Sequence, residues 1–87
     1  MGSLDDARAA SATFRQQIEQ CVGQIQGAGQ GIVVAQQGFR GRLGNTSDDK
    51  VVEVEGRCQE AKKKLTEAIG LLIAANEAAD QFAASLH

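Results

Sequence analysis

The residue types able to do covalent or metal chemistry are few in this chain and far apart: Cys21 and Cys58, one histidine at position 87, and a basic run of Lys62, Lys63 and Lys64 with Arg57 nearby. Nucleophilic catalysis needs a serine or cysteine beside a positioned base, and His87 has no neighbour to orient it. A zinc site needs more soft ligands than two cysteines. In a chain folded back on itself about Gly44, the position opposite Cys58 is near 30. That is about nine residues, or roughly 13 Å, from Cys21, beyond the ~7 Å limit between bridged Cα atoms. Both thiols therefore read as small apolar side chains. Acid–base work needs carboxylates in a cleft, which paired helices do not form. The expectation is a protein that is not an enzyme and holds no cofactor and no metal.

The other charged residues read as solvated. Glu60 and Glu67 offset the lysine run, and Arg40 and Arg42 are expected to cap the last carbonyls of a preceding helix. Formal net charge is −2, so there is no cationic field suited to nucleic acid or an anionic membrane. No run approaches the ~20 apolar residues of a membrane span, and the amino terminus lacks a basic start and apolar run of the secretory kind.

What must position any functional residue is helix. The sequence has no proline, tryptophan or tyrosine and three phenylalanines in 87 residues, and alanine, glutamine and glutamate fill much of the remainder. Apolar residues recur at alternating steps of three and four: Leu4, Ala7, Ser11, Phe14, Ile18, Cys21, Ile25, Ala28, Ile32, Ala35 and Phe39 in the first half. The second half repeats this with Val51, Val54, Cys58, Ala61, Leu65, Ala68, Leu72, Ala75, Ala79, Phe82 and Leu86. This is the 3.5-residue period of a supercoiled seam, not the two-residue period of a strand.

Start and stop signals divide the pattern. Ser3 with Asp5 and Asp6, and Thr46 with Ser47, Asp48 and Asp49, are helix-start signals; Asp49 follows Thr46 in capping-box fashion. Gly38, Gly41, Gly44 and Asn45 permit a reversal between them. The expected architecture is all-α: one helical-hairpin domain over residues 1–87, with helix one at about 4–38, the turn at about 39–46 and helix two at about 47–86. The short connection makes the helices antiparallel. Gly23, Gly27, Gly29 and Gly31 weaken the second half of helix one, where a fray or kink is expected; the spacing of Gly23, Gly27 and Gly31 also suggests close helix approach.

With Leu4 and Val51 at heptad position a, a second apolar stripe remains beside the seam, made of Ala12, Val22 and Val33 on helix one and Val52, Ile69, Ile73 and Ala83 on helix two. Burying each large aliphatic stabilises by about 1.5–3 kcal/mol, and a chain this small needs more core than one seam provides. A partner is expected on Val22, Val33, Val52, Ile69 and Ile73, completing a four-helix bundle dimer.

Two heptad helices of this length joined at an aromatic-x-Gly tract resemble the Trp-x-Gly (WXG) family of small type VII secretion substrates, relatives of the early secretory antigenic target. The resemblance covers essentially the whole chain, and Phe39, Arg40 and Gly41 occupy the turn motif, with phenylalanine where the family usually has tryptophan. It implies an ESX-like export substrate that pairs as a homodimer or heterodimer with a second hairpin of the family and is exported by a secretion ATPase without a cleaved signal peptide. The family's tyrosine-and-acid export tag has no counterpart around Phe82–Leu86, which casts this chain as the tagless member escorted by its partner. Two alternatives remain: a cytoplasmic adaptor or chaperone for a secreted toxin, and a helical-hairpin assembly subunit of another secretion system.

Overall fold

The computed structural model describes residues 2–43 and 48–86. The expected glycine–asparagine reversal at Gly44 and Asn45, the helix start at Thr46 and Ser47, and His87 lie outside the described residues. Two antiparallel helices make up the rest, α1 (Ser3–Leu43) and α2 (Asp49–Ala84). Asp5 and Asp6 in the first turn of α1, and Arg40 and Arg42 in its last, oppose the partial charges at the two helix ends. The Asp48 side chain caps α2 by accepting from the Lys50 N–H at 2.7 Å. At the far end the Ser85 N–H closes the helix on the carbonyls of Gln81 and Phe82.

Helix one runs further than the sequence suggests. It passes through Gly38, Phe39, Arg40 and Gly41 to Leu43, so the aromatic-x-Gly tract belongs to the last turns of α1 and not to a reversal. Neither is α1 interrupted at its internal glycines. Each glycine costs roughly 1 kcal/mol against alanine, and the helix runs on through them because it packs along its whole length against α2, which supplies more helical stability than propensity does.

The hairpin is a rod, with Cα extents of 65 × 16 × 12 Å and a radius of gyration of 19.7 Å, against about 12 Å for a compact chain of this length. Among the described residues none is fully buried. The seam takes position a of both heptads, as expected: Leu4, Ser11, Ile18, Ile25, Ile32 and Phe39 are half-buried, and so are Val51, Cys58, Leu65, Leu72, Ala79 and Leu86. The other seam row differs. The expected Phe14, Cys21, Ala28 and Ala35 are exposed, and Val22, Gly29 and Gln36, at heptad position e, are half-buried instead. On α2 the row Glu55, Lys62, Ile69, Asn76 and Ala83 is half-buried, while Val54, Ala61 and Phe82 are exposed.

Both helices are thus turned by about 50° relative to the a/d seam, half the angle between positions d and e at 100° per residue. Apolar area alone does not select the turn, since Phe14, Val54 and Phe82 at position d offer at least as much as Val22 and Ile69 at position e; what the turn adds is cross-helix polar pairing from position e, Arg15 with Asp80 and Glu55 with Arg40. Three of the d-row alanines, Ala7, Ala68 and Ala75, are nevertheless half-buried at the seam's margin.

The glycines spaced by four play no part in packing: a Cβ built on Gly23, Gly27 or Gly31 meets nothing within 4 Å, and one on Gly29 would lie 4.0 Å from the Leu65 side chain. Replacing Gly23, Gly27 and Gly31 by alanine is therefore expected to stabilise the hairpin by about 0.5–1 kcal/mol per site. Urea denaturation of the single and triple variants tests this; a loss of stability would mean that those positions are covered by something in solution.

Candidate functional site

The a/e seam gives the hairpin two unlike faces. On the b/e side, polar side chains reach from one helix to the other near both ends of the rod. Near the termini Arg8 donates to the Leu86 carbonyl at 3.2 Å, and Arg15 donates to Asp80 at 3.0 Å while its own carbonyl accepts from Asn76 at 3.4 Å. Toward the reversal Gln36 donates to Gln59 at 3.5 Å, and the Arg40 guanidinium grips Glu55 as a two-pronged fork, one prong at 2.8 Å. All these straps lie on one side of the hairpin.

Arg40 therefore does not cap α1 as the sequence suggests; it ties α1 to α2. The hydrogen bond from Arg40 lowers the Glu55 carboxyl below its ordinary value, the guanidinium charge adds to this, and desolvation partly opposes it. The same hydrogen bond and the carboxylate's charge raise Arg40. The pair faces water, so its contribution to stability is small. Within the lysine run, Lys64 pairs with Glu67 at 3.8 Å, Lys63 is exposed, and Lys62 is half-buried in the seam.

Two open grooves follow the strapped side. The larger, about 670 Å³, is lined by Val33, Gln36, Gln37, Arg40, Gly41, Glu55, Gln59 and Lys62. The second, about 540 Å³, runs on past Ile25, Gln26, Gly29, Gln30, Leu65, Thr66 and Ile69. Amides and charges dominate the first. Among the described residues no group of three or more metal-ligating side chains is gathered, and no helix is long and apolar enough to cross a membrane.

The five residues expected to bind a partner are divided by the turned seam. Val22 and Ile69 are half-buried in the hairpin's own interface, with Ile69 against the second groove. Val33, Val52 and Ile73 stay exposed, Val33 on the wall of the polar groove. Of the aromatic-x-Gly tract, Phe39 is half-buried in the seam, and Arg40 and Gly41 line the larger groove. Cys21 and Cys58 are both free. The pairing of Gln36 with Gln59 puts Cys58 across from Gln37, about 16 residues or roughly 24 Å along the axis from Cys21, nearly twice the separation that a fold about Gly44 implies.

The opposite, d/g side is different in kind. Phe14 is 39%, Phe82 53% and Leu71 72% exposed there, with Ala7, Ala10, Ala68, Ala75 and Ala78 between them. No cross-helix hydrogen bond or ion pair described above crosses this side. Sequence reasoning missed it because it assigned position d to the seam. The signal was present in the large polar side chains Arg15, Gln36, Glu55, Lys62 and Asn76 at position e, long enough to strap one helix to the other.

Comparisons of the chain with protein-family models, with curated proteins and with solved structures find no match in any of the three.

Two consequences can be measured. Asn76 sits in the seam with its Oδ1 buried and without a hydrogen-bond partner. Asn76→Leu should therefore raise the unfolding free energy by about 1 kcal/mol, at some cost to register, which a lone polar seam residue helps to fix; a lower urea midpoint would show that Oδ1 is satisfied. Glu55, lowered in the folded state from an ordinary value of 4.5, contributes stability that is present above that value and lost as pH falls through the lower folded one. Glu55→Gln should flatten the acid limb of stability against pH. Parallel limbs in mutant and wild type would exclude the strap from acid sensitivity.

Proposed function

We propose that this chain is a small non-enzymatic type VII, ESX-like secretion substrate that works as a pair, as the tagless member escorted by a second hairpin. One observation carries the pairing: among the described residues no side chain is fully buried, so the hairpin is half of a core. The export assignment rests on the chain's likeness to the Trp-x-Gly family in length, heptad layout and the Phe39, Arg40 and Gly41 tract. In this reading Val33, Val52 and Ile73, exposed on the strapped side, contribute to the surface met by the escort, and Phe39 and Gly41 at the end of α1 form part of what the secretion ATPase recognises. The protein is made in the cytoplasm and leaves without a cleaved signal peptide.

The absence of any tyrosine for the export tag favours a second reading, a cytoplasmic adaptor that covers an apolar segment of a toxin. Fractionation separates the two. The export reading expects the protein in culture fluid only when the secretion ATPase is intact, and expects Phe39→Ala to remain helical by circular dichroism while its export falls. Retention in the cytoplasm with an intact ATPase supports the adaptor, and unchanged export of the variant removes Phe39 from recognition.

A further inference from the structure

Of the nine lysines and arginines in the chain, Lys62 alone is half-buried. It stands at the waist between the two grooves, since it and Val33 line both of them. A lysine at a seam position lays its stem on apolar neighbours and turns its ammonium outward, and here, among the described residues, no hydrogen bond or ion pair ends on that ammonium. The residues one turn away on α2, Cys58, Gln59, Leu65 and Thr66, include no acid, and α1 has none from Gln20 to its end. Glu60 and Glu67, expected to offset the lysine run, stand at position c, about 160° around α2 from Lys62. Glu55 shares the larger groove but is already held by Arg40.

We propose that the joined grooves bind the free carboxy terminus of an extended peptide whose last residue is aliphatic, with its carboxylate on Lys62. An unpaired ammonium inside a groove is complementary to an anion, and a charged hydrogen bond to a carboxylate is among the stronger polar contacts. On the terminal side of Lys62 the second groove has an apolar floor of Ile25, Leu65 and Ile69, beside the carboxylate, where one aliphatic side chain fits. On the other side Gln36, Gln37 and Gln59 line the larger groove. Gln36 donates one N–H to the Gln59 side-chain oxygen, which leaves its own oxygen and the Gln59 amide N–H groups to meet the N–H and C=O of a peptide backbone. From Val33 to Gly41 that groove follows α1 for about 12 Å, the length of about three or four extended residues. A free aliphatic acid would use Lys62 and the apolar floor but leave these amides unmatched.

Gly29 makes the room. Among Gly23, Gly27, Gly29 and Gly31 it alone is half-buried in the seam, and its missing side chain leaves the second groove open beside Leu65. Packing does not require a glycine there, because a Cβ would lie 4.0 Å from the Leu65 side chain, an ordinary contact. The helix thus carries glycine's cost at a site where alanine fits; a groove kept open for a ligand's side chain gives that cost a use. The inference stands apart from the export reading and meets it only at Val33, which a bound peptide and an escort cannot cover at once.

Fluorescence anisotropy of the full chain with a fluorescein-labelled hexapeptide of glycine and serine ending in leucine tests it. The expected dissociation constant is on the order of 100 µM, as suits an open site. Capping the peptide's carboxyl as an amide, or ending it in serine, should weaken binding about tenfold or more. Lys62→Gln, which removes the charge, and Gly29→Leu, which fills the groove, should do the same at unchanged helicity, while Lys63→Gln, at an exposed position, should bind as the parent does. Should either variant unfold, the acid and amide peptides compared on the unaltered chain still decide the matter. Equal binding of acid and amide, undiminished binding to folded Lys62→Gln, displacement by octanoate at or below the peptide's own concentration, or no binding at about 1 mM chain would each overturn the proposal. Peptide capture by a chain that is never exported would leave it standing and remove the export reading, and export without peptide binding would do the reverse.

Discussion

The structure depends on which two rows of each helix face the other. A helix that repeats every seven residues can close its seam on positions a and d or on a and e, and the two choices differ by a turn of about 50°. This chain takes a and e. Val22 and Ile69 go inside, and Arg15, Gln36, Glu55 and Asn76 come near enough to bridge the helices. The alanines of position d and their large neighbours Phe14 and Phe82 stay at the margin or outside. A polar, strapped face and a bare, apolar one are two results of the same rotation.

That rotation also explains what could and could not be read from the sequence. Helix, hairpin and position a were legible because heptad spacing and strong helix-formers allow no competing pattern over so many residues. The second seam row was not, because Phe14 and Val54 are apolar at d while Val22 and Ile69 are apolar at e, and hydrophobicity alone cannot rank the two rows. The deciding terms are pairwise: Arg40 with Glu55, Arg15 with Asp80 and Gln36 with Gln59 come together only once the register between the helices is known. The end of α1 was misplaced for a related reason. Gly38 and Gly41 read as punctuation, yet both lie within a helix that Arg40 and Arg42 favour at its negative end.

The seam is uneven along its length. Between the termini and the middle it is closed by Leu4, Ile18, Val22, Ile25, Leu65, Ile69, Leu72 and Leu86; nearer the reversal its inward positions include Gly29, Gln36, Glu55 and Lys62. Ile32, Phe39 and Val51 are half-buried there as well, and the Gln36–Gln59 and Arg40–Glu55 straps bridge the helices beside them. Such polar contacts between water-exposed groups contribute less than apolar packing. The larger open groove lies in that half.

The slenderness of the rod has a mechanical meaning. At 65 Å long and 16 × 12 Å across its Cα atoms, it has nearly the same outline at every height, since no loop or domain bulges from either helix along the described length. Side chains widen this to roughly 20–25 Å, two helix diameters. Any passage of that bore would admit the folded hairpin end-on, like a bolt through a sleeve, with its backbone hydrogen bonds intact; a compact protein of equal mass would be wider in every direction.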